Sequence, residues 1–209
     1  SKGWVAAGLY SVMAEKGIIP KDDLDTYCKP KSPYTGLVER LVKGVEASTG
    51  SMGHGLPIGI GMALADRNRK VFVIMSDGEM QEGTTWEGAM LAAHHHLNNL
   101  IVIVDYNKLQ ATGLIRDING IEPLDEKWSS FKWHVASVDG HNMADLMEVI
   151  ENKDGVDVDI FPHVIIAHTI KGKGIPHLER KVESHYAVLT KEEYQKLQNE
   201  KKIGGFSAN

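Results

Sequence analysis

Two short, unbroken runs of β-branched and apolar residues, at positions 71–75 and 100–104, constrain the fold of this 209-residue chain more than any other feature. Such runs are typical of strands in parallel sheets covered on both faces, and a parallel pair needs a crossover of about a dozen residues or more. Residues 84–97 have the length and composition of that crossover helix. The unit is therefore β-α-β, and the fold class is α/β with a mostly parallel sheet flanked by helices. Ligands in such folds collect outside the carboxyl ends of the strands. Each run ends there in an oxygen ligand, Asp77 after the first and Asn107 after the second, and neighbouring strands set the two side by side. Gly78 and Gly83 let backbone N–H groups approach an anion, and a helix beginning near Thr84 adds its positive end. A hard oxygen pair beside an anion cradle suits a magnesium diphosphate.

Read outward from this unit, the chain predicts a helix over residues 4–16 on the spacing of Val5, Leu9, Val12 and Met13, with Gly17 as its C-cap. Residues 29–43 carry prolines and mixed charge and read as a surface loop with a short helix over 37–43. Five glycines fall within residues 48–61, too many for an ordinary helix start unless the backbone must approach something closely. Pro57 then opens a helix to about Ala65. A second β-α-β unit follows, with strands at 133–138 and 162–167 and a helix at 143–151. Gly172 and Gly174 mark a loop, and residues 191–200 read as a short polar helix before a glycine-containing tail without fixed structure.

Composition removes several classes of function. With 42% hydrophobic residues the chain can bury one good core, and nothing in it suggests two. A net charge of −5 offers no footprint for nucleic acid, whose binding rests on clustered Lys and Arg. Cys28 is the single cysteine, which excludes an internal disulfide framework. No apolar run approaches the roughly eighteen residues that span a bilayer, and no signal peptide is visible, so the expected location is cytoplasmic. His94, His95 and His96 are not a metal cluster, because consecutive helix positions point about 100° apart whereas metal pairs on helices sit at i, i+4.

Ser76-Asp77-Gly78, followed at the appropriate interval by Asn107, is similar to the thiamine-diphosphate fingerprint Gly-Asp-Gly…Asn, with Ser76 replacing the first glycine. The likeness extends through EASTGSMGHGLPIGIGMALA at 46–65, residues 79–83 and 86–99, YNKLQ at 106–110 and TIKGKG at 169–174. Over nearly its whole length the chain resembles the N-terminal half of transketolase, and in particular split transketolases, in which the two halves are separate chains.

The resemblance implies a three-layer thiamine-diphosphate-binding fold. Residues 1–190 form the diphosphate-binding domain, apparently without the family's usual N-terminal stretch, and 191–209 form a C-terminal helix and flexible tail. It implies that magnesium is held by Asp77, Asn107 and the backbone carbonyl of Leu109. Gly78 would donate to the diphosphate of the cofactor, and Glu79 and Ala111 belong to the same cofactor-binding set, although Glu79 also reads as a solvated carboxylate. Gly50 and Met52 of TGSMG would meet the aminopyrimidine and thiazolium rings. His54 follows where split relatives often carry His, and it would serve substrate or partner. His185 would contact the diphosphate or the reacting oxygen, which makes His54 and His185 the implied catalytic pair. Lys171 and Lys173 lie near the expected anion, though lysines in a glycine loop are more often solvated.

The implied activity is transfer of a two-carbon ketol unit from a phosphorylated or modified ketose to an aldose, with the cofactor as electron sink. The partner is the C-terminal, pyrimidine-binding subunit, which carries the activating glutamate, in an α2β2 assembly. The alternatives are acyl-type transfer from a 2-oxo acid and a non-catalytic role for the cofactor fold. Two departures bear on substrate. Trp4 stands where relatives have the histidine of Ser-Lys-Gly-His, and no Pro-Gly-His counterpart occurs within 29–43.

Overall fold

The computed structural model describes residues 1–151 and 160–203, with side chains through residue 199. Four parallel strands form the central sheet: β1 (Val71–Ser76), β2 (Leu100–Tyr106), β5 (His134–Asp139) and β6 (His163–His168), in the order β1-β2-β6-β5. A hairpin of β3 (Leu109–Gln110) and β4 (Gly113–Leu114) extends the chain beyond β2. The helices are α1 (Ala6–Glu15), α2 (Gly55–Ala65), α3 (Gly83–His94), α4 (Ile115–Ile118), α5 (Leu124–Ser130), α6 (Met143–Glu151) and α7 (Lys191–Ile203). The glycine-containing tail after Ile203 lies outside the described residues.

Both expected β-α-β units form. Strand β1 pairs with β2 through the crossover α3, and β5 pairs with β6 through α6. Strand periodicity sorts the apolar runs between two faces. Val73 and Met75 of β1, Val102 and Val104 of β2, and Val164 and Ile166 of β6 share one core with Leu56 and Ile60 of α2 and Ala89, Ala92 and Ala93 of α3. Trp86, Trp128 and Trp133 close that core at its far side, their rings 5.4 and 4.7 Å apart in succession. The opposite face is uneven: Ile165 is buried, whereas Phe72 and Ile74 on the edge strand β1 are 47% and 55% exposed. The expectation of a sheet covered on both faces therefore fails at β1. Phe72 and Ile74 line an apolar cavity of about 970 Å³ between β1, α1 and α2.

Local chain chemistry explains the element ends. Helix α1 stops at a Schellman turn, with Gly17 at φ 68°, its N–H on the Ala14 carbonyl and the Ile18 N–H on Met13. Helix α3 stops before the expected Leu97 by the same device, with His96 in the left-handed region at φ 50°. Its N–H donates to Ala93, the Leu97 N–H donates to Ala92, and Leu97 is buried beneath the turn. One of the three consecutive histidines thus serves as a helix terminator. Helix α2 begins at Gly55, two residues before Pro57, which sits in the first turn where a missing N–H costs nothing.

The short helix expected over 37–43 does not form. The Val38 N–H donates to Gly3, and its carbonyl accepts from Thr49 in an isolated antiparallel bridge. These long-range bonds replace helical ones because Val38 and Val42 are drawn into a separate cluster with Tyr10, Met13 and Tyr34 under α1.

Candidate active site

The register of β1 on β2 sets Ser76 opposite Asp105, so the turns that follow carry Asp77 and Asn107 to the same edge of the sheet. Asp77 is 1% exposed, accepting from the Lys108 N–H at 2.5 Å and the Gly78 N–H at 2.8 Å. The first bond is possible because Lys108 adopts a left-handed conformation, φ 66°, that folds the β2–β3 turn back over Asp77. Burial pushes the Asp77 carboxyl up to about 6 in spite of those two bonds. Among the described residues no lysine, arginine or histidine forms a salt bridge with it. Asn107 Oδ1 accepts from the Leu109 N–H at 3.0 Å and retains a second lone pair. A buried carboxylate without a salt-bridge partner among the described residues, beside a neutral oxygen at the end of the adjacent strand, fits a hard divalent ion.

Glu79 has a different place. It is fully buried, so it is not a solvated carboxylate, and it binds the chain to itself. Its Oε1 accepts from the Gly53 N–H at 2.6 Å and from the Ser1 hydroxyl, and Oε2 accepts from the Ser76 N–H at 3.3 Å. The turn after β1 is thereby tied to the loop carrying Gly50, Met52 and His54. Gly53 has φ 79°, and a Cβ there would lie 2.2 Å from Thr84 Oγ1, while a Cβ at Gly55 would meet Ser1 and one at Gly59 would meet Val73, so the close approaches read in this glycine run are to α3, the N-terminus and β1. Met52 is 47% exposed, and His54 is also exposed, its Nδ1 3.1 Å from the Met52 carbonyl. The N–H of Gly78 is directed at Asp77, and Ala111 occupies the tip of the β3–β4 hairpin.

Three further residues at this edge were not singled out by sequence. Lys2 pairs with Asp105, and Thr169 donates to the same carboxylate. Burial alone would raise the Asp105 carboxyl, but the Lys2 ammonium with bonds from Lys2, Thr169 and Asn107 holds it below its ordinary value. A charged residue near the carboxyl end of a buried parallel strand was the available signal for Asp105. The one-turn helix 182–185 carries His185 to 3.1 Å from the Lys171 Nζ. Burial lowers the Lys171 ammonium, with Lys2 acting in the same direction and Asp105 and Asp77 opposing. Lys171 is thus half-buried in the field of the two aspartates, while Lys173 is exposed. Among the described residues no three His, Cys, Asp or Glu side chains group as a metal site, the three consecutive histidines included. No described helix is long and apolar enough to cross a membrane.

A parallel α/β domain with a metal-type oxygen pair, lysines and glycine turns at one edge of its sheet defines the class of domains that hold a metal-bound anion at strand ends. Residues 1–208 match the family described as the thiamine diphosphate binding domain of transketolase. The chain is 42% identical to one of the subunits of the apulose-4-phosphate transketolase of Actinobacillus succinogenes, covering 90% of this chain and 69% of that protein. It is 39% identical to the SqwG subunit of the 6-deoxy-6-sulfo-D-fructose transketolase of a Clostridium species, covering 92% and 71%. The solved transketolase of Campylobacter jejuni superposes with a TM-score of 0.79 at 28% identity, over 90% of this chain but 30% of the longer enzyme. The chain belongs to this family, and it is a thiamine-diphosphate-dependent subunit of transketolase type, a transferase.

Proposed function

We propose that this chain is the diphosphate-binding half of a split transketolase that moves a two-carbon ketol unit from a phosphorylated or otherwise modified ketose to an aldose. The observation that carries the reading is Asp77: a buried carboxylate with no salt-bridge partner among the described residues, set beside Asn107 at the ends of two adjacent parallel strands. In this reading Asp77, Asn107 and the Leu109 carbonyl hold magnesium. Gly78, Glu79 and Ala111 shape the diphosphate loop, and Gly50 and Met52 face the rings of the cofactor. Bound thiamine diphosphate would supply an electron sink for breaking and making a carbon–carbon bond next to a carbonyl. The chain's own part is to neutralise the diphosphate, hold the ring-facing loop through Glu79, and offer His54 and His185 as hydrogen-bonding and proton-carrying groups at the exposed edge.

The two curated relatives named above are each a subunit of a transketolase. The wall facing the pyrimidine ring is therefore assigned to a second chain, in an α2β2 assembly. The single cysteine and the absence of a membrane-crossing helix among the described residues favour a cytoplasmic enzyme. Trp4 is 74% exposed where relatives carry a histidine, which favours a donor other than the ordinary ketose phosphates. The purified chain should be inactive alone. Ketol transfer should appear on titration with a pyrimidine-binding partner and saturate at one equivalent. A homodimer of this chain that turns over a ketose donor by itself would overturn the split-enzyme reading.

A further inference from the structure

We propose that Lys171 is a positioning residue that fixes the His185 imidazole in the tautomer carrying its proton on Nε2, so that the ring offers an N–H donor to an anionic group at the strand ends. The two side chains meet with Nζ 3.1 Å from Nδ1. An ammonium has three donors and no acceptor, so Nδ1 must be the lone-pair nitrogen, and in a neutral ring the proton then resides on Nε2. A second proton on the imidazole would set N–H against an ammonium. Partial burial first, and then the Lys171 and Lys2 charges, hold His185 below its ordinary value, which disfavours that second proton.

The backbone keeps Lys171 in place. The Arg180 N–H donates to the Lys171 carbonyl at 3.0 Å, Lys173 bonds back to Ile170, and Ile175 bonds back to Gly172. Gly172, at φ 77°, is tight enough that a Cβ would lie 2.6 Å from the Leu178 carbonyl oxygen. The loop is thus closed on itself, with Lys171 at its neck. Lys2 is occupied by Asp105, which leaves Lys171 as the cation that meets the imidazole. Tyr186 stacks edge-on beside the ring at 4.8 Å, and His185 is otherwise exposed. Lys171 and Lys173 are equivalent in the sequence TIKGKG, and only the first is directed inward.

The identity of the anion, a diphosphate, rests on the function proposed above; the tautomer does not. The chain labelled with 15N-histidine, without cofactor, is the sample for long-range 1H–15N correlation at neutral pH, with the His185 signals assigned by their loss in His185→Gln. Lys171 in this role gives a lone-pair shift at Nδ1 and a protonated shift at Nε2. Lys171→Met should then produce a tautomer mixture and a higher His185 pKa, while Lys171→Arg, also a pure donor, should restore the single tautomer. A protonated Nδ1 in the unmodified chain, or unchanged shifts in Lys171→Met, overturns the proposal. If Lys171→Met does not fold, the Lys171→Arg spectrum and the unmodified chain still decide it.

Calorimetry of thiamine diphosphate with magnesium on the assembled enzyme is the separate arm. Loss of roughly ten- to a hundredfold in affinity in His185→Gln, the size of one hydrogen bond to a charged group, supports the diphosphate as target. Unchanged affinity there, with the tautomer as expected, leaves the Lys171 assignment standing and overturns the diphosphate contact of His185.

Discussion

Asp77 and Glu79 stand two residues apart in one turn and are both buried, yet the regions on either side of the turn use them differently. On the β2 side, Asp77 accepts two backbone N–H groups, one of them from its own neighbour, and is still pushed up to about 6 by burial. On the side of the 49–55 loop, Glu79 accepts from Gly53, Ser76 and Ser1, groups that come from separate parts of the chain. A buried carboxylate that joins elements is a structural tie, whereas one at a strand end with no salt-bridge partner among the described residues is open to a further charge. In the proposed function, the same residue class in the same turn thus divides stability from ligand binding.

The largest effect that tests this division is Asp77→Asn. The amide keeps an acceptor oxygen for Lys108, so the apo chain should stay within about 1 kcal/mol of the parent in urea unfolding. Magnesium-dependent binding of thiamine diphosphate to the assembled enzyme should nevertheless fall by more than about a hundredfold, because changes even outside the first shell of a metal cost ~10–100-fold. Calorimetry showing near-parent affinity would erase the distinction between the two carboxylates.

Glu79→Ala should show first in stability, with any loss of affinity following from the loosened 49–55 loop. It leaves three donors without their acceptor and should cost about 3 kcal/mol of unfolding free energy, from ~1.5–3 kcal/mol per hydrogen bond to a charged group less what water recovers. If binding is lost while the urea midpoint stays put, Glu79 is a ligand and the comparison breaks.

Gly53→Ala sharpens the same point from the other end of that tie. A methyl group would have to displace Thr84 Oγ1 at φ 79°, so a destabilisation of about 1–3 kcal/mol is expected in thermal unfolding. Weaker cofactor affinity should accompany it, since the loop carrying Met52 is held at this residue.

The smallest effect belongs to Ser76→Gly, the change to the family's usual residue. Ser76 Oγ accepts from the Glu79 N–H at 3.2 Å, so losing it should cost about 0.5–1.5 kcal/mol. Cofactor affinity should be unchanged; a large loss would place Ser76 in the binding site rather than in the scaffold.

Much of this was readable from residues in order. The runs at 71–75 and 100–104 announce strands because β-branched and apolar residues between polar turns have few other stable arrangements, and they end where the structure ends them to within two residues. Gly17 closes α1 because the left-handed residue of a Schellman turn is a local demand met by a local residue. Asp77 and Asn107 were placed together by the logic of adjacent parallel strands alone. Determinants of this kind act over a few residues, and the order of side chains expresses them directly.

Other features depend on partners far away in the chain, and only the folded arrangement settles them. Val38 and Val42 have helical spacing but leave the helix for bonds to Gly3 and Thr49 and for packing under α1. Glu79 is neutral between surface and interior until Gly53, 26 positions away, and Ser1, 78 positions away, supply its donors. Lys2 and Asp105 pair across 103 positions, and Lys171 turns inward while Lys173 turns out. Phe72 and Ile74 look as buried as Val73 and Met75, and differ because β1 is an edge strand with one face open to the cavity beside α1. In each case the deciding energy is a desolvation or a hydrogen bond between segments whose proximity exists only once the sheet has formed.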